Sequence, residues 1–101
     1  MSQTVQPEWM QKLQKCNPQL AKMYLTQREQ VLKDGAIPAK YKILMTMIVD
    51  AIMGHSDGCA AIANHARAAG ATEDEISEAV EMAYLFGGTP ALVTATNVFR
   101  K

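Results

Sequence analysis

Residues 41–53 read Tyr-Lys-Ile-Leu-Met-Thr-Met-Ile-Val-Asp-Ala-Ile-Met and are followed by Gly54. Wound into a helix, this segment is apolar on nearly every side, so most of its circumference has to be covered. A chain of 101 residues holds one domain with one modest core. Few other helices are available to supply the cover, and part of it is expected from another subunit. Thr46 and Asp50 interrupt the run, which falls well short of the roughly 20 residues that span a bilayer.

The rest of the chain has the same helical period, and no alternating strand pattern competes with it. Pro7 suits a first helical position, with Trp9, Met10 and Leu13 forming a short helix that ends near Cys16. Asn17-Pro18 reads as an N-cap with proline at N1. It opens a helix with Leu20, Met23, Tyr24, Val31 and Leu32 at helical spacing, closed by Gly35 as a C′ glycine. After Ala36-Ile37-Pro38 comes the apolar helix. Ser56 is the candidate N-cap of a fourth helix that ends before Gly70. Thr72 and Glu75 have capping-box spacing and start a fifth, with Ile76, Ala79, Val80, Ala83 and Phe86 on its buried side. Gly87-Gly88 breaks that helix, and Thr89-Pro90 begins a last one carrying Leu92, Val93, Ala95, Val98 and Phe99. The expectation is an all-α fold of about six helices in a single domain over residues 1–101, with N-terminal helices over 7–35.

Lys and Arg total 10 and Asp and Glu total 10, so no net field gathers nucleic-acid phosphates or holds the chain to an anionic membrane. No nucleic acid and no membrane is therefore expected as a partner. The N-terminal residues are polar rather than an apolar leader, and two widely spaced cysteines, Cys16 and Cys59, are too few for a secreted disulfide framework. These features point to reduced thiols and a cytoplasmic protein.

Four residues could carry chemistry. With Ser56 as N-cap, Cys59 falls at N3, where free N–H groups and the helix dipole stabilise a thiolate. Among Ala60, Ala61 and Ile62 it reads equally well as a small apolar filler. His55 precedes Cys59 by four residues, a spacing that gives a Cys–His pair if the helix continues back to Gly54 and a solvent-facing histidine if it does not. His65 shares a broad arc of the fourth helix with Cys59, or stands partly exposed beside Arg67. Asp50 interrupts the most apolar helix, which makes it either a site carboxylate or a group at the helix end facing water. No spacing of these residues matches a structural zinc site, and no metal or cofactor is expected. The acidic cluster Glu73, Asp74, Glu75, Glu78 and Glu81 reads as a helix first turn and solvated face.

Three further stretches carry a resemblance: Gly35-Ala36-Ile37-Pro38-Ala39-Lys40-Tyr41-Lys42-Ile43-Leu44, Gly70-Ala71-Thr72-Glu73-Asp74-Glu75-Ile76-Ser77-Glu78-Ala79, and Gly87-Gly88-Thr89-Pro90-Ala91. Over residues 36–99 the chain resembles the carboxymuconolactone decarboxylase and alkylhydroperoxidase D superfamily. The resemblance implies helical subunits assembled as trimers or hexamers. In the redox branch it implies a Cys-x-x-Cys pair at a helix start, a histidine one turn later and a glutamate on the preceding helix. Anchored on Gly70, those positions hold His55 and Gly58 for the cysteines, Ile62 for the histidine and Ile43 for the glutamate. None of the four is kept, and the decarboxylase-branch histidine falls at the same Ile62. The leading expectation is a divergent single-thiol peroxidase site, with Cys59 as nucleophile, His55 or His65 as base and Asp50 as orienter. An external thiol would then reduce the sulfenic acid. Two other readings stand beside it. One is a non-catalytic oligomeric binding protein. The other is a decarboxylase or isomerase acting on a small lactone or hydroxy acid through His55 or His65.

Overall fold

The computed structural model describes residues 6–100. The polar residues 1–5, on which the reading of the N-terminus partly rests, lie outside them. The described residues form five α-helices and a closing 3₁₀ turn, with no strand among them. They cluster into two compact units, one reaching Lys33 and the other starting at Asp34.

The first unit is a helical hairpin of α1 (Glu8–Cys16) and α2 (Pro18–Leu32). The Asn17 side chain caps α2 by accepting from the Leu20 N–H at 3.1 Å, and Pro18 at N1 has no N–H to leave unpaired. Trp9 meets Tyr24 edge to face, with centroids 5.6 Å apart and an 82° interplanar angle, which ties the two helices. The end of α2 differs from expectation. Lys33 is already extended, and Gly35 is not in the left-handed region. The C′ glycine is replaced by a local turn in which the Asp34 carboxylate accepts from the first N–H of the next helix, Ala39, at 2.7 Å.

The second unit is built on α3 (Ala39–Ile52), against which α4 (Ser56–Ala68) and α5 (Glu73–Ala95) both pack. Its core is narrow and rich in small residues: Ile43, Met47 and Ala51 of α3, Cys59, Ala63 and Ala66 of α4, and Ile76, Val80 and Ala83 of α5 are buried. Alanines on facing helices let backbones approach closely, and the few large side chains fill what remains. The opposite stripe of α3, Tyr41, Met45, Val49 and Ile52, lies at helical spacing and is exposed.

The capping box that starts α5 is present in both directions: Glu75 N–H to Thr72 Oγ1 at 3.0 Å and Thr72 N–H to Glu75 Oε1 at 2.9 Å. The expected break at Gly87-Gly88 is a kink within α5, with Gly88 at φ 76° and ψ −167°. Two side-chain assignments change as a result. Phe86, expected inside, is 81% exposed. The buried stripe Ile76, Val80, Ala83 continues four residues on at Gly87, where an added Cβ would come within 3.0 Å of Ile52 on α3. On the last segment Ala91, Ala95 and Val98 face inward, while Val93 and Phe99 are exposed.

Arg67 ties three elements of this unit together. Its guanidinium donates twice to Glu73 (2.6 and 2.9 Å), once to Asn64 Oδ1 (2.8 Å) and once to the carbonyl of Val98 (2.8 Å) in the 3₁₀ turn Thr96–Val98. Its side chain is 9% exposed while that of Glu73 is 59% exposed, so the partner that removal leaves without easy access to water is the part-buried Val98 carbonyl. Arg67→Ala is expected to cost about 1–3 kcal/mol in urea unfolding, the usual cost of leaving a part-buried acceptor without its donor. The guanidinium holds the Glu73 carboxyl below its usual range. A depressed acid contributes stability above the usual carboxylate pKa and loses it as pH falls through the folded value, so the Arg67→Ala penalty should shrink in strong acid.

Candidate active site

The link between α3 and α4 is shaped by Gly54, which has φ 81°. Its N–H reaches the Ala51 carbonyl at 3.2 Å, and the His55 N–H reaches the Asp50 carbonyl at 2.9 Å. This pair of bonds is a Schellman motif, which folds the residue after the C′ glycine back over the third residue from the helix end. In most helices an apolar contact joins those two positions. Here they are His55 and Asp50, and His55 Nδ1 lies 3.0 Å from Asp50 Oδ1. A carboxylate only accepts, so in this bond Nδ1 is the donor, and Nε2 takes no part in it. The Asp50 side chain is 22% exposed and that of His55 53%. The pair is held on one side and open to solvent on the other.

His55 is also the residue from which α4 starts. The Cys59 N–H donates to the His55 carbonyl at 2.9 Å, so the helix begins one residue earlier than a Ser56 N-cap would set it. Cys59 therefore stands at N4 with its own N–H already in the helix ladder, not among the free donors of the first turn. Its side chain is fully buried, and the thiol lies 3.7 Å from the Met47 carbonyl of α3. Burial, with a smaller contribution from the Asp50 charge, pushes the thiol up to about 11. The helix start does not yield the lowered thiol that the sequence suggested, because an apolar enclosure disfavours the charged form more than an already satisfied helix end favours it.

Between the pair and the thiol lies Gly58. A Cβ added there would stand 2.5 Å from Asp50 Oδ2 and 3.4 Å from the His55 Cβ. The Asp50 carboxylate thus occupies space that any side chain at position 58 would claim. His65 is not part of this group: it is exposed, and ten residues of helix at 1.5 Å each put it about 15 Å further along α4. Of the four sequence candidates, Asp50 and His55 come together, Cys59 lies buried behind them and His65 stands apart. Gly54 and Gly58 were missed as site residues, although a C′ glycine at 54 is the signal that would have set His55 against Asp50. No group of three or more His, Cys, Asp or Glu side chains suited to a metal ion occurs among the described residues.

The carboxymuconolactone decarboxylase family model matches residues 18–101. Among solved structures, the chain is similar to a protein from Burkholderia xenovorans LB400 provisionally named carboxymuconolactone decarboxylase. The TM-score is 0.79 at 27% identity, and the match covers 92% of this chain and 77% of that one. No curated protein matches. Among the described residues no helix is long and apolar enough to cross a membrane.

Proposed function

The chain belongs to the carboxymuconolactone decarboxylase family, and from that premise we propose that it is a proton-transfer enzyme acting on a small lactone or hydroxy acid, with His55 as the acid–base group and Asp50 as its orienter. The observation that carries this reading is the 3.0 Å Asp50–His55 pair, with the imidazole half open to solvent. The carboxylate fixes the ring through Nδ1, and Nε2 is the atom that takes a proton from carbon next to a carbonyl and returns it to the product. The same ring nitrogen that accepts the proton as a base can return it as an acid. The thiol-peroxidase reading is less well supported, because a buried thiol held at about 11 supplies little thiolate near neutral pH. The test is to screen small lactones and hydroxy acids for isomerisation or decarboxylation, and to require that any turnover fall in His55→Ala. Turnover that survives this change removes His55 from the chemistry.

We also propose that the subunit assembles with copies of itself, as trimers or hexamers, through the exposed stripe Tyr41, Met45, Val49 and Ile52. Leu85 and Phe86 of α5 add two more large apolar side chains to the exposed surface. A row of large apolar side chains left exposed along one helix face is the usual mark of a surface that another subunit covers. Val49→Lys is expected to shift the mass seen by light scattering toward the monomer, and a wild-type chain that is monomeric at micromolar concentration would end this reading. Both cysteines are unpaired, which agrees with a reducing compartment such as the cytoplasm.

A further inference from the structure

We propose that Gly58 is a positioning residue: the missing side chain at 58 leaves the space in which the Asp50 carboxylate sits when it holds His55 through Nδ1. The inference concerns how the Asp50–His55 pair forms and deepens the functional reading given above. Its own test does not depend on turnover.

The geometry leaves little alternative. A Cβ at residue 58 would lie 2.5 Å from Asp50 Oδ2 and 3.2 Å from its Cγ, distances at which one of the groups must move. Residue 58 belongs to the first turn of α4, whose backbone is fixed by the Cys59 N–H bond to the His55 carbonyl. The Asp50 side chain is the movable party, since it sits near the end of α3 and is partly exposed. Its backbone is held by the Schellman bond from the His55 N–H, so only χ rotation is available. Rotation away from residue 58 turns both oxygens together and is expected to draw Oδ1 off Nδ1. Glycine carries an entropic penalty inside a helix relative to alanine, so a glycine at this position needs a reason. The carboxylate supplies one.

Two opposed effects are therefore expected from Gly58→Ala. The helix gains from the better helix former, so thermal stability is held or improved. The pair is nevertheless broken. The readout is the tautomer of His55, followed by ¹⁵N shifts of the imidazole nitrogens at a pH where the ring is neutral. In the wild-type chain Nδ1 should carry the proton. In Gly58→Ala the proton should move largely to Nε2, the form an unconstrained imidazole prefers, and Gly58→Ser should do the same. Asp50→Ala should have that effect in the wild-type background and no further effect in the Gly58→Ala background, the signature of two changes acting on one interaction. A Gly58→Ala protein that keeps Nδ1–H overturns the proposal. So does an Asp50→Ala effect of equal size in both backgrounds. Loss of the Nδ1–H form in Gly58→Ala, together with turnover that is indifferent to His55→Ala, would leave the positioning role standing and reject only the catalytic reading.

Discussion

Treated with iodoacetamide at pH 8 in its folded state, the protein is expected to lose its Cys16 thiol first and to label Cys59 at least about 100-fold more slowly. Cys16 is exposed at the end of α1, whereas no part of Cys59 reaches solvent. Access is one barrier and ionisation is the other. With the thiol pushed up to about 11, only about one Cys59 in a thousand is thiolate at pH 8. The two barriers multiply, and denaturant should remove both together. The same comparison decides the peroxidase reading. Stoichiometric peroxide followed by mass spectrometry should leave Cys59 unmodified. Sulfenic acid on Cys59 with Cys16 intact would return the thiol to the centre of the chemistry. The sign of the pH dependence follows from the same environment. The folded thiol ionises at about 11 against an ordinary value of 9.0, so the folded state favours the neutral form. Below pH 9 stability is unaffected by this group, and from there it should decline as pH rises through about 11.

His55→Ala is expected to lower turnover of the substrate by about 10²–10⁴-fold, the usual contribution of a positioned general acid or base. Asp50→Ala should lower it by less, because the imidazole remains and only its tautomer and orientation are lost. The double variant should be no worse than His55→Ala, since the carboxylate acts through the ring. Equal and additive losses would instead make Asp50 an independent participant. His65→Ala serves as the internal control: about 15 Å along α4 from His55, it should leave turnover within a few-fold of wild type. A loss at His65 with none at His55 would relocate the site.

The predicted stabilities and activities rest on different scales of interaction. Arg67 acts through a network joining residues up to 31 positions apart, from α4 to the final turn. The Asp50–His55 pair spans only five positions and is folded together by the turn at Gly54. The first kind of interaction requires the fold to be known, while the second was within reach of the sequence. The sequence named Asp50 as orienter of a histidine base but left His55 and His65 open and tied His55 to Cys59 by a spacing of four, which a helix start at His55 turns into a backbone hydrogen bond instead.

Most helix ends were legible because their chemistry is local. Asn17 before Pro18 and Thr72 with Glu75 start α2 and α5, glycines at 54 and 70 close α3 and α4, and all act on backbone groups within five residues, so the all-helical class and these helix ends follow from the sequence. The resemblance over residues 36–99 was legible for the same reason, since it runs through these caps. What only the tertiary structure decided is which side of each helix is enclosed. Phe86 faces out, while Gly87 is half-buried where an added Cβ would run into Ala91 and Ile52 of α3. Cys59 is enclosed and its thiol pushed up because α3 closes over it, and desolvation by a neighbouring helix is not written in the residues beside it.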